Sequence, residues 1–113
     1  MKRLINAARA DAGLGPVKLS VKPIKPARKH SRSMKAEQQL WHSNLAVTLK
    51  NVSWSSAAEN VGVASTVWKL HEAFMNSSAH RSNLLGKSWT KVSIGLATDA
   101  NGMRWGTIVF YRN

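Results

Sequence analysis

The chain has 113 residues, no cysteine, and a formal charge of +12 from 17 Lys/Arg against five acids. That length suits a single domain, residues 1–113, with one modest core, and the missing thiols exclude disulfides, thiolate metal centres and a cysteine nucleophile. No apolar run approaches the roughly 20 residues of a membrane-spanning helix, and no signal peptide is visible after Met1-Lys2-Arg3.

Ten of the 17 basic residues fall within residues 1–35, where Asp11 is the sole acid. Such a field attracts anionic lipid, acidic cell-wall polymer or nucleic acid, and the attraction falls steeply with salt. No stacking-aromatic motif accompanies it, so specific nucleic-acid recognition is not expected.

Leu4, Ile5, Ala8 and Ala12 recur at helical spacing, which predicts a first helix over Lys2 to Ala12, stopped by Gly13 and Gly15-Pro16. Pro16, Pro23 and Pro26 make Val17 to Pro26 an extended or turn-rich connector. A second helix is expected from about Pro26 to Leu40, burying Ala27, His30 or Ser31, Met34 and Leu40 and leaving Arg28, Lys29, Arg32 and Lys35 wet. Residues 41–64 lose periodicity and read as mostly irregular, with room for one strand within 45–64. Ser65 is placed to cap a third helix carrying Val67, Leu70, His71 and Phe74, and Ser77-Ser78 to cap a short fourth helix that Gly86 ends. Val92, Ile94 and Leu96 alternate with small residues, and Asn101-Gly102 separates them from a second run, Met103 to Tyr111. The expectation is a β-hairpin whose Asn-Gly pair supplies positive φ angles. Two strands are not stable alone, so the helices pack on them in a layered α/β sandwich.

Four His and three Glu limit the acid–base and metal chemistry. His71 and Glu72 read as a core-edge imidazole and a surface carboxylate, His30 and Glu37 as members of a charged helix face. His42, Glu59 and His80 stand apart, because each lies at an element boundary or in the irregular stretch among small polar residues. Two imidazoles and a carboxylate can bind a zinc-like ion, or the carboxylate can orient a histidine acting as base. Ser77 precedes His80 by three residues and reads as a helix cap rather than a nucleophile. There is no His-Glu-x-x-His, no Gly-x-Ser-x-Gly, no phosphate-cradling glycine loop and no dinucleotide fingerprint.

These residues resemble the CAP superfamily of cysteine-rich secretory, antigen 5 and pathogenesis-related proteins, in its short cysteine-free bacterial form. Ile5-Asn6-Ala7-Ala8-Arg9 with Gly13-Leu14 is similar to the family's opening helix, Ala27 to Met34 to its second, and Leu40-Trp41-His42-Ser43 to its first-histidine segment. Ala58-Glu59-Asn60-Val61-Gly62 resembles its glutamate motif, Phe74 to Leu85 its second-histidine motif, and Val92 to Gly95 with Trp105 to Phe110 its closing strands. The resemblance implies a three-layer α-β-α sandwich with a small, mostly antiparallel sheet, an extracellular or cell-envelope location, and a central cleft formed by His42, Glu59, Asn60, Ser77 and His80. It further implies that His42 and His80 are the candidate ligands of a divalent metal such as zinc. The family's second acid aligns near Ser77 rather than Glu72, which weakens an enzymatic reading.

Two functions follow as expectations. The first is a non-enzymatic domain binding a lipid, peptide or cell-wall ligand through the cleft or the basic face. The alternative is a metal-dependent, peptidase-like hydrolase with His42 and His80 as ligands and Glu59 as the catalytic base.

Overall fold

In the computed structural model, which describes residues 1–113, four strands form one sheet: β1 (Lys18–Leu19), β2 (Ser56–Ala64), β3 (Lys91–Thr98) and β4 (Arg104–Arg112). Their spatial order is β1-β3-β4-β2, with β1 parallel to β3 and the other two pairings antiparallel. Five helices accompany it: α1 (Lys2–Asp11), α2 (Ile24–Glu37), α3 (Leu45–Thr48), α4 (Val67–Met75) and α5 (Ser78–Leu84).

The period-two alternation of the strands divides the helices between the two faces. Val92 of β3 with Ile108 and Phe110 of β4 point to one face, where Ile5 of α1, Leu70 and Phe74 of α4 and Leu84 of α5 complete the main core. Ser93, Gly95 and Ala97, with Trp105, Thr107 and Val109 opposite them, point to the other face. There Met34 of α2 packs on Trp105, and Leu49, just after α3, packs on Val109 and Tyr111. The result is the three-layer α-β-α sandwich.

Two close contacts hold the layers. On the α2 face, the Ser31 hydroxyl donates to the Gly95 carbonyl at 2.8 Å and pairs with Thr107 Oγ1 at 2.7 Å, so the helix rides directly on the glycine. On the opposite face, Arg9 of α1 is 1 % exposed and donates from Nε to the Gly15 carbonyl at 2.9 Å. Its Nη1 donates to the carbonyls of Leu84 at 3.0 Å and Gly86 at 2.8 Å, tying α1 to the end of α5. Burial lowers the Arg9 pKa from its ordinary value.

Several elements differ from the sequence-based expectation. Helix α2 starts two residues before Pro26, because a proline in the first turn needs no N–H partner, and Pro23 supplies the preceding turn. It ends at Glu37, where Gln38 takes a left-handed φ of 54°, so Leu40 lies outside the helix and is 47 % exposed. Residues 41–64 are regular for much of their length, containing both α3 and the nine-residue β2. The strand shows no large-apolar alternation because its middle is built for close packing: a Cβ on Gly62 would sit 2.9 Å from Leu70 and from Phe74. Thr66, not Ser65, caps α4, its hydroxyl accepting from the Lys69 N–H at 3.0 Å. The hairpin forms as expected, but only Gly102 has positive φ, at 79°. Asn101 does not, because the connection is a longer loop around Asp99, whose Oδ1 accepts from the N–H groups of Asn101 at 2.9 Å and Met103 at 3.0 Å. The indole N–H of Trp105 donates to Asp99 Oδ2, and that bond is the first cause holding the Asp99 carboxyl below its usual range.

Candidate functional site

Strand β2 lies at the sheet edge, and its alternation sends neighbouring polar side chains to opposite faces. Glu59 pairs with Val109 and shares its face with α2 and α3, whereas Asn60 pairs with Ile108 and faces α4 and α5. Each organises one histidine.

The Glu59 side chain is 2 % exposed and receives three donors. His42 Nδ1 and the Ser43 N–H each lie 2.9 Å from Oε1, and the Ser43 hydroxyl donates to Oε2. A carboxylate only accepts, so the His42 Nδ1 is the donor in its bond to Oε1 and Nε2 takes no part in it. The imidazole itself is 66 % exposed. The segment is pinned beyond the histidine as well, because Asn44 caps α3 by accepting from the Ala46 N–H at 3.1 Å.

On the other side, Asn60 is fully buried and donates to the His80 carbonyl at 2.9 Å. Its Oδ1 accepts from Asn83 Nδ2 at 3.0 Å, and the Asn83 carbonyl accepts the Trp89 indole N–H at 2.7 Å. This chain fixes the first turns of α5 and with them the histidine. His80 packs against Phe74, with ring centroids 5.2 Å apart, and its Nδ1 pairs with Ser77 Oγ at 2.9 Å. Ser77 stands at the N-cap position of α5 but makes no side-chain capping bond, so the expected cap is instead the partner of the imidazole. The His80 pKa is lowered, first by burial and then by repulsion from His42 when that ring is protonated.

The two histidine segments are thus tied to neighbouring residues of β2 from opposite faces of the sheet. Beside His80 lies a groove of about 260 Å³, walled by Leu40, Val61, Val63, Leu70 and Phe74, with Ser77 and His80 as its polar members. The space next to the histidine is therefore mostly apolar, and His42 and Glu59 stand outside its lining. Ser43, Asn83 and Trp89 are structural contributors that the sequence left unmarked. Ser43 could have been suspected as the neighbour of His42, whereas no local pattern distinguishes Asn83.

The donor chemistry suits a divalent ion only in part. Two imidazoles with Nδ1 engaged can each offer Nε2, but Glu59 already accepts three hydrogen bonds and no group of three His, Asp or Glu side chains is arranged to hold an ion. That is one protein ligand fewer than the three of an ordinary catalytic zinc site.

His71 is buried in α4, 6 % exposed, with Nδ1 unpartnered. Burial is the largest cause lowering its pKa from 6.5. The unfolded chain therefore takes up the proton first as pH falls, so this contribution to stability is complete above about pH 6.5 and is lost as pH drops through the folded-state pKa. Urea unfolding between pH 7.5 and 4.5 should show stability declining in that window, and His71→Leu should flatten the decline. An identical slope in the variant would assign the decline elsewhere.

The family model described as CAP, cysteine-rich secretory protein family, matches residues 2–111. The Bacillus subtilis protein YkwD is 30 % identical over 100 residues, which cover 81 % of this chain and 39 % of YkwD. An extracellular SCP-domain protein of Bacillus anthracis superposes with a TM-score of 0.87 at 24 % identity, covering 100 % of this chain and 40 % of that one. An outer surface protein of Borrelia burgdorferi gives a TM-score of 0.87 at 12 % identity, covering 99 % and 89 %. The chain therefore spans about two fifths of the two Bacillus proteins and nearly all of the Borrelia one.

Proposed function

Because the chain belongs to the CAP, or cysteine-rich secretory protein, family, we propose that it is an extracellular or cell-envelope domain that binds a lipid or an apolar peptide side chain beside His80. The observation that carries this reading is the apolar groove with the Ser77–His80 pair at its polar end. Such a shape buries an aliphatic chain while offering one hydrogen-bonding site to a head group. The location is supported by the extracellular and outer-surface descriptions of the Bacillus anthracis and Borrelia proteins.

His42 and His80 are the proposed holders of a divalent metal such as zinc, to which each imidazole would offer its Nε2. Glu59 is a positioning residue in this reading, since its oxygens are occupied by His42 and Ser43. That engagement, with the missing second acid, leaves the hydrolase alternative without a free carboxylate base.

Both parts are tested on wild type, Leu40→Asp and His80→Ala, with Leu40 chosen because it is already 47 % exposed. A fluorescent twelve-carbon acyl probe should bind saturably, and Leu40→Asp should weaken it about tenfold, equivalent to roughly 1.4 kcal/mol. Equal affinity in both proteins would refute the groove. A zinc titration should give heat in the wild type that His80→Ala abolishes, and matching heats would refute the metal.

A further inference from the structure

The cationic side chains form a surface for which the fold itself offers no use. Lys25, Arg28, Lys29 and Arg32 are exposed on α2, turned away from the buried Ala27, Ser31 and Met34, and the half-buried Lys35 extends the row at its flank, donating to the Thr98 carbonyl at 3.4 Å. At 1.5 Å per residue the row runs about 15 Å along the helix. Neighbours three and four apart within it are all like-charged, which destabilises a helix by about 0.2–0.5 kcal/mol per pair. Lysine also occupies the first turn, where a helix favours acids, and no acid is present there. None of the 17 Lys/Arg makes an ion pair: the one such contact in the molecule joins His42 to Glu59. The repulsion is therefore uncompensated inside the protein.

The row is also shaped. A groove of about 580 Å³ on one flank is bounded by Val21, Ile24, Lys25, Arg28 and Arg32. A second, of about 380 Å³, runs between α2 and α3 and is lined by Lys25, Lys29, Arg32 and Lys50 among others. Lys25 and Arg32 belong to both, so the grooves meet across the helix. We infer that this face is a binding surface for a flexible linear polymer that carries repeated phosphate groups and no bases.

Charge complementarity selects an anionic partner, and the shape selects a thread over a sheet. A bilayer surface calls for interfacial tryptophan anchors, yet the exposed Trp41, Trp54 and Trp68 line neither groove. A nucleic acid calls for aromatic stacking partners, and neither groove contains an aromatic side chain.

The probe is long-chain inorganic polyphosphate, titrated against the intact chain. Five phosphate contacts, from Lys25, Arg28, Lys29, Arg32 and Lys50, give about a hundredfold loss of affinity for a fourfold rise in salt by counterion release. The triple variant Lys25→Gln, Arg28→Gln, Arg32→Gln should bind at least about tenfold more weakly and show a shallower salt slope. These side chains are exposed, and removing like charges should raise rather than lower thermal stability. A control triple at the exposed Lys69, Lys87 and Arg112, each changed to Gln, lowers the net charge equally and should stay within about twofold of wild type. Equal weakening in both triples would reduce the surface to net charge alone and overturn the inference. Tighter binding to phosphatidylglycerol vesicles, or to a single-stranded oligonucleotide, than to polyphosphate would overturn it in favour of that partner. The acyl-probe titration involves other residues, so either result can fail while the other stands.

Discussion

Replacing Arg9 with methionine should lower the unfolding free energy by about 3–5 kcal/mol, a fifth or more of the roughly 5–15 kcal/mol of a typical small domain. Methionine retains the apolar stem and removes every donor. Three charge-assisted hydrogen bonds disappear, and the carbonyls of Gly15, Leu84 and Gly86 lose their guanidinium partner. Each carbonyl that remains buried without a replacement costs about 1–3 kcal/mol, from which the relief of no longer burying an unpaired cation is subtracted. Arg9→Lys should recover little, because one ammonium cannot reproduce a planar fork that reaches both the connector after α1 and the end of α5. Urea unfolding at neutral pH measures both variants. A loss below about 1 kcal/mol for Arg9→Met would mean that water replaces the guanidinium and that the α1–α5 tie is unimportant.

Gly95→Ala should cost about 3 kcal/mol, at the upper end of the range for overpacked interiors. The added Cβ would lie 2.3 Å from the Ala27 carbonyl carbon and 2.4 Å from the Arg28 nitrogen, and neither is the movable end of a flexible side chain. Helix α2 must therefore lift from the sheet, stretching the bonds from Ser31 to Gly95 and Thr107 and loosening Met34 over Trp105. Gly102→Ala provides the contrast. Its Cβ meets nothing within 4 Å, and the cost is only the positive φ of 79°, about 1 kcal/mol. Thermal unfolding of the two variants should rank Gly95→Ala as clearly the worse, and the reverse order would show that α2 accommodates the methyl group by sliding.

Helices α1, α2, α4 and α5 and the hairpin were legible in the sequence because each carries its own periodicity and stop signals: Gly13 after α1, Gly86 after α5, Gly102 in the turn. Strand β2 was legible only as room for one strand within residues 45–64, since its bounds depend on partners distant in sequence. Its Gly62 is dictated by Leu70 and Phe74, and its consecutive Glu59 and Asn60 break any apolar alternation because both are buried for the polar bonds they make. His42, Glu59 and His80 stood out as candidates, but spacing could not show that Glu59 and Asn60 serve different histidines on different faces. Ser77 looked like a cap because capping is the commonest use of serine there, and only the geometry reveals its hydroxyl on His80.

The strand order has a consequence for biosynthesis. Strand β4 lies between β3 and β2 and is the last of the four to leave the ribosome, so until about residue 112 has been made neither helical layer has a complete sheet to cover. Arg9 likewise waits for the carbonyls of Leu84 and Gly86, some 75 residues downstream. Closure of the native sheet is thus postponed until this stretch of chain is essentially complete, and until then the nascent polypeptide has only its local helices and the β1–β3 pairing to form.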